Sequence, residues 1–391
     1  MGTGGRGKSA GGNGSGPSKV LPLTSLRFFA ALYVVFFHTL VLAFGAGVTD
    51  HSTVYGRVML LGYISVSFFF TLSGYILAVS YLPRKVSTQQ FWWARFARIY
   101  PLFLVTLFIG CPQYLIGVAK QIGYHAAAAG LLDKLVGNIF LLQAWIPSMA
   151  KIDFPNWSLS VEAFFYLLFP FLLVALAKPR VRFLATIGVL TYLAGICFVV
   201  SAIHAHVAED VLRYNPLFHL HSFVIGAVVG VIHTKVRLHS RLAPAFLAMA
   251  ILCFAFTVHY YSYIPMSLLH DGLLVPAFVC LILAFDSGNK GLDRLLSARW
   301  LVILGEASYG LYLLHIPLWE VFHHLRLDHS GAGYLLYLFS AITLSVLSFF
   351  YLETPLRRLL TKPSSLVPTA TAYWRKLRPL HGSAALPRAA S

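Results

Sequence analysis

Charge is what this sequence is short of. Of its 391 residues only 11% are Asp, Glu, Lys or Arg, against about 25% in soluble globular domains. Acidic residues are the scarcest, 13 in all, which excludes an ordinary water-soluble enzyme. Cysteine is scarce too. Cys111, Cys197, Cys253 and Cys280 stand singly in or beside apolar runs, with neither the paired spacing of a zinc site nor a disulfide framework. They read as small packing residues, and no metal is expected. Residues 1–18 are a polar Gly/Ser tail without an apolar core, so no cleavable signal peptide is expected. No internal repeat is visible, which weighs against inverted-repeat transporter folds. Every segment between the apolar runs is too short to fold alone.

What is abundant is apolar surface. The chain is 58% hydrophobic with a mean hydropathy of +0.74, and apolar runs of about 20 residues recur, the length needed to cross a hydrocarbon core of about 30 Å. Ten spans are expected, at 24–44, 58–81, 99–119, 157–177, 181–203, 217–234, 242–262, 265–285, 299–319 and 333–353. The 31 Phe, 20 Tyr and 7 Trp suit such helices. A shorter piece at 131–146, LLDKLVGNIFLLQAWI, precedes Pro147 and is read as interfacial or re-entrant. The expected fold is all-α, a polytopic membrane protein of about ten transmembrane helices. Its membrane domain covers 21–360, flanked by a disordered Gly/Ser-rich tail at 1–20 and a basic, disordered tail at 361–391.

The net charge of +17 does not point to nucleic acid, because Lys and Arg lie in short clusters between apolar runs, so no nucleic-acid partner is expected. Most of the 30 basic residues fall in 1–23, 82–98, 178–182, 235–241, 286–299 and 354–391. The alternate connections hold only Arg57, Lys120, Lys134, Lys151, Arg213 and Arg326. The positive-inside rule then puts both termini in the cytoplasm. Acids show the reverse bias: Asp50, Asp133, Asp153, Glu209, Asp210, Asp271 and Asp328 fall toward the outer side.

Against this apolar background, polar residues within spans carry the functional signal. In SLRFFAALYVVFFHT, Ser25 to Thr39, Arg27 and His38 are eleven residues apart. On a helix that is about 16.5 Å of rise and, to within about 20°, a single face. By itself Arg27 reads equally as an anchor snorkelling to the headgroups, and a lone intramembrane histidine is more often a satisfied core residue.

The wider pattern resembles the acyltransferase-3 family, integral membrane proteins that O-acylate sugars and some small natural products. Arg27-x10-His38 is similar to its first-helix hallmark, and SVSFFFTLSGYILA (Ser65–Ala78) resembles its second-helix signature. RFARIYP (Arg95–Pro101) is similar to its Arg-x-x-Arg loop, and NWSLSVEAFFYLLFP (Asn156–Pro170) to its Trp-Ser-Leu-x-x-Glu motif. GEASYGLYLLHIPL (Gly305–Leu318) and LETPLRR (Leu352–Arg358) resemble its last two signatures. The likeness spans about residues 20–360; some members carry a fused esterase-like domain that has no counterpart here.

The resemblance implies a membrane O-acyltransferase that takes an acyl group, acetyl in the first instance, from acyl-CoA. Its acceptor would be a hydroxyl of an exopolysaccharide or lipid-linked glycan, or of a secondary metabolite such as a macrolide sugar. The implied setting is the bacterial cytoplasmic membrane. His38 would act as general base on the acceptor, a role suited to an imidazole, with a covalent relay as the alternative. Arg95 and Arg98, one turn apart, would bind CoA phosphates together with Arg27, since guanidinium groups match phosphate; otherwise they are cytoplasmic anchors. Glu162 would pair with a basic residue or orient His38. Ser73, Tyr75, Trp157, Ser308, Tyr309 and His315 are expected to line the site, or to form a structural polar network.

Glu306 is read as the partner of a basic loop residue, and Asp50 with His51 as solvated loop. The His323–Asp328 spacing is discarded as chance. A proton-coupled transporter or flippase, with Arg, His and Glu as a relay, is the rival from a different class.

Overall fold

The computed structural model describes residues 21–361 other than 150, 151, 153, 237, 287–289 and 329. The tails expected at 1–20 and beyond Thr361 lie outside these residues. Among the described residues there is no strand. Ten helices are long and apolar enough to cross a membrane: α1 (Leu21–Phe44), α2 (Val54–Tyr81), α3 (Thr88–Ile122), α4 (Trp157–Ala177), α5 (Val181–His204), α6 (Glu209–Lys235), α7 (Ser240–His259), α8 (Met266–Asp286), α9 (Arg299–His324) and α10 (Gly331–Leu360). The all-α, multi-pass architecture expected from hydropathy is therefore the one observed. An even number of crossings by these ten helices would bring Leu21 and Thr361 to one face of the bundle, the termini face.

One boundary moves in a way that matters. The third span was expected to open at 99, with Arg95 and Arg98 at its edge. Instead α3 begins at Thr88, because Ser87 and Gln90 cap it reciprocally. At 35 residues it is about 52 Å long, well beyond a hydrocarbon core, and both arginines sit inside a continuous helix. Gly123, with φ 84°, turns the chain into a separate helix, Tyr124–Ile139, packed against α3. The piece expected at 131–146 is thus the second half of that helix plus a non-helical stretch, fastened by Tyr100 Oη donating to the Ile139 carbonyl at 2.6 Å.

Two parallel helix pairs hold the bundle together. In the α2–α6 pair, Gly226 lies so close to α2 that a Cβ would collide with the Thr71 carbonyl, and one at Gly230 would crowd Tyr75 and Ala78. Small residues four apart let backbones touch in this way. In the α1–α9 pair, Gly305 abuts the Thr24 carbonyl near the termini face, while farther along the two helices His38 meets His315. Around these pairs α10 packs on α9, α5 on α6, and α7 on α8. Between α2, α4 and α6, Phe70, Phe165, Phe169 and Phe223 form a buried aromatic core. Gly272, with φ 102°, interrupts α8 just after Asp271.

Candidate active site

Between α1, α2, α3, α4 and α9 lies a cavity with about 860 Å³ of non-protein space, part of it open to the outside. α1 contributes Arg27, α2 Ser73, α3 Arg95 and Arg98, α4 Glu162 and Tyr166, and α9 Ser308, Tyr309 and Tyr312. Sequence reasoning drew most of these residues from five separate motifs. The structure brings them together because the capped start of α3 carries its arginines in against α4 and α9.

The cavity concentrates positive charge. Arg27 and Arg98 interact repulsively with each other, opposed by Glu162 and Glu306 acting on both. Among the described residues, the ion pairs shorter than 4.0 Å lie elsewhere and involve none of the three arginines. Arg95 donates to Tyr81 Oη at 3.2 Å and lies against the rings of Tyr81, Phe91 and Tyr166, 5.7 to 5.9 Å from their centroids. Its buried Nε has no hydrogen-bond partner. Glu162 accepts hydrogen bonds from Tyr166 Oη and, at 3.4 Å, from Ser73 Oγ. Its partners are thus Tyr166 and Ser73, not His38. Several guanidinium donors facing a partly desolvated space form a cradle for a polyanion such as phosphate.

His38 lies beyond the cavity lining, on the side away from the termini face. Its Nδ1 is 2.9 Å from His315 Nε2, and the rings stack with centroids 5.2 Å apart. His315 Nδ1 is in turn 2.5 Å from the Tyr312 carbonyl. A carbonyl only accepts, so His315 Nδ1 carries the proton and its Nε2 accepts. His38 Nδ1 is then the donor, which leaves the lone pair of a neutral His38 on Nε2. Tyr337 Oη braces the same turn by donating to the His315 carbonyl at 3.0 Å. Tyr312 connects this chain to the cavity: its ring lines the cavity, and its hydroxyl meets Ser158 Oγ at 2.8 Å and the Pro155 carbonyl at 2.9 Å.

The remaining expected site residues divide. Ser308 lines the cavity while donating to the Gly305 carbonyl at 2.7 Å, and Tyr309 lines it while donating to the Ile99 carbonyl at 2.6 Å. Tyr75 and Trp157 are not brought to it. Tyr75 is fully buried where α2 meets α6, and Trp157 packs among Phe70, Tyr214, His219 and His270. Glu306 acts electrostatically on Arg27 and on Arg98 and Arg357, the last two from the basic segments 82–98 and 354–391. His323 and Asp328 hydrogen-bond at 2.6 Å beyond the far end of the cavity. Asp50 accepts from Ser52 N at 2.9 Å in an exposed loop, and Ser52 holds its carboxyl below the ordinary range.

Three contributors were missed: Tyr166, Tyr312 and Glu353. Tyr166 stands four residues after Glu162, a spacing that pairs side chains on a helix. Glu353 acts on Arg98, and its position in LETPLRR was the available signal.

The acyltransferase domain profile matches residues 23–352. The chain belongs to the acyltransferase-3 family. It is 32% identical over 376 residues to the acyltransferase MdmB of Streptomyces mycarofaciens, covering 90% of this chain and 94% of that protein. It is 25% identical to the putative peptidoglycan O-acetyltransferase YrhL of Bacillus subtilis, and 23% identical to the O-acetyltransferase OatA of Staphylococcus aureus. These two matches cover 86% and 78% of this chain, and the chain spans 54% of each of those longer proteins. No solved structure matches. Family membership makes the chain a membrane O-acyltransferase rather than the rival transporter.

Proposed function

We propose that this acyltransferase moves an acetyl group from acetyl-CoA to a hydroxyl of an exopolysaccharide or lipid-linked glycan, in the cytoplasmic membrane of a bacterium. The observation that carries this reading is the arrangement of two chemistries along α1 and α9. An arginine-lined cavity stands nearer the termini face, and an imidazole oriented by a second imidazole stands beyond it. The basic segments assign the termini face to the cytoplasm, the compartment that supplies acyl-CoA.

On this reading Arg27, Arg95 and Arg98 hold the CoA phosphates. The flexible arm carries the thioester past Tyr312 toward His38. His38 Nε2 takes the proton of the acceptor hydroxyl as its oxygen attacks the thioester carbonyl. The carbon–sulfur bond then breaks and the CoA thiolate leaves, taking up a proton. Glu162, fixed by Tyr166 and Ser73, offsets part of the charge of Arg27 and Arg98. The names of the O-acetyltransferase relatives support acetyl as the group moved.

The test is purified protein in detergent with isotope-labelled acetyl-CoA, alongside comparison of glycans and small molecules from cells carrying the wild type or His38→Ala. Loss of one ester modification at normal protein level supports the reading. Unchanged esterification removes His38 from the mechanism. A labelled small molecule, rather than a glycan, would reassign the acceptor.

A further inference from the structure

Outside the cavity, the polar cluster of greatest consequence is His219 on α6 with His270 and Asp271 on α8, all buried. The sequence reading expected no metal, but it weighed only cysteine spacing and not this buried His–His–Asp cluster. We propose that these residues form a binding site for a divalent transition-metal ion of the zinc class, tying α6 to α8.

The hydrogen-bond directions carry the inference. His219 Nε2 is 2.9 Å from the Arg213 carbonyl, so Nε2 bears the proton and Nδ1 the lone pair. That lone pair faces Asp271 Oδ1 at 3.6 Å, and neither His219 Nδ1 nor Asp271 Oδ2 has a hydrogen-bond partner. Two electron-rich groups so placed in a buried space call for a cation between them. His270 Nδ1 donates to the same carboxylate oxygen at 3.0 Å, so its lone pair is on Nε2, and ligation through Nδ1 releases that proton. One ligand atom from each residue lies within 4.8 Å of the other two, so the three need to draw in by about 1 Å to reach the spacing of ligands held about 2.0–2.2 Å from a tetrahedral zinc ion. The His219 Nε2–H donated to a carbonyl is the brace that metal-bound imidazoles have.

A second pocket, open to solvent at the face opposite the termini, reaches His270 and is lined also by His206, Glu209, Arg213, Met266 and Ser267, leaving room beside His270 for a water or substrate oxygen as a further ligand. The nearby positive charge, Arg213, is offset by Glu209 at 3.8 Å. The ring of Phe70, which lines the arginine cavity, is tilted against that of His219 with centroids 5.4 Å apart. The metal site therefore backs directly on the wall of the catalytic chamber, with no shared residue.

The full chain in detergent, stripped with chelator and titrated with Co(II), tests this. About one equivalent should bind with visible absorption bands, Zn(II) should displace it, and Tm should rise with either metal. Asp271→Asn and His219→Gln should each weaken Co(II) binding at least about tenfold, while His323→Ala, which removes a largely exposed histidine from a separate pair with Asp328, should leave it unchanged. If those variants fail to fold, zinc-edge absorption on the wild type decides. Two imidazoles and a carboxylate support the site, and any other ligand set overturns it. Absence of stoichiometric binding by the wild type, or equal binding by Asp271→Asn, also overturns it.

Discussion

His38 and His315, 277 residues apart in the chain, share one hydrogen bond in which His38 is the donor. That direction selects the His38 tautomer whose basic nitrogen is Nε2, so the second histidine acts through the first. His315→Ala should lower kcat roughly tenfold or more while leaving the KM for acetyl-CoA near wild type, and His315→Gln should restore part of the loss. His38→Ala removes the base itself and should cost about 10²–10⁴-fold in kcat. Initial rates with labelled acetyl-CoA separate the two, after size-exclusion confirms folded protein.

The arginines should behave in the opposite way. A hydrogen bond to a charged group is worth about 1.5–3 kcal/mol, so Arg98→Ala should raise the KM for acetyl-CoA by about ten- to a hundredfold. Arg98→Lys should recover part of that, because lysine keeps the charge but not the fork. An unchanged KM in both Arg95→Ala and Arg98→Ala would mean that the nucleotide end binds elsewhere.

Glu162→Gln tests whether that carboxylate reacts or only balances charge. The amide keeps a hydrogen-bonding group beside Tyr166 and Ser73 but removes the negative charge opposing Arg27 and Arg98. The KM for acetyl-CoA should fall a few-fold with kcat retained to within about tenfold. A kcat loss as large as that of His38→Ala would make Glu162 a catalytic group.

Gly226→Val should prevent a stable bundle. A Cβ there meets the Thr71 backbone, which cannot move aside as a side chain can, so the cost exceeds the ~1–3 kcal/mol typical of overpacked cores. Little monodisperse protein should survive detergent extraction, whereas Gly117→Ala, at a position with open space around it, should extract normally.

Much of the site was legible because each cavity arginine stands in a motif that is conspicuous in an apolar chain. Arg27, Arg95, Arg98 and Glu162 are costly at their positions, and a costly residue signals function. Tyr75 and Trp157 show the limit of that reasoning. Each sits in a recognisable motif, yet one is spent on the α2–α6 contact and the other on the aromatic wall beside His219. The start of α3 was misjudged because hydropathy finds where a helix enters lipid, not where a capping box lets it begin.

Composition and hydropathy by themselves determined that this is an all-helical, multi-pass protein, because backbone groups in hydrocarbon must be satisfied within each segment. That requirement is local, so it can be read along the chain. Only the tertiary structure decided which expensive side chains meet: His38 with His315, Glu162 with Ser73, and His219 with Asp271. Those meetings depend on where glycines let parallel helices close upon one another, a property of pairs of segments that no single segment records.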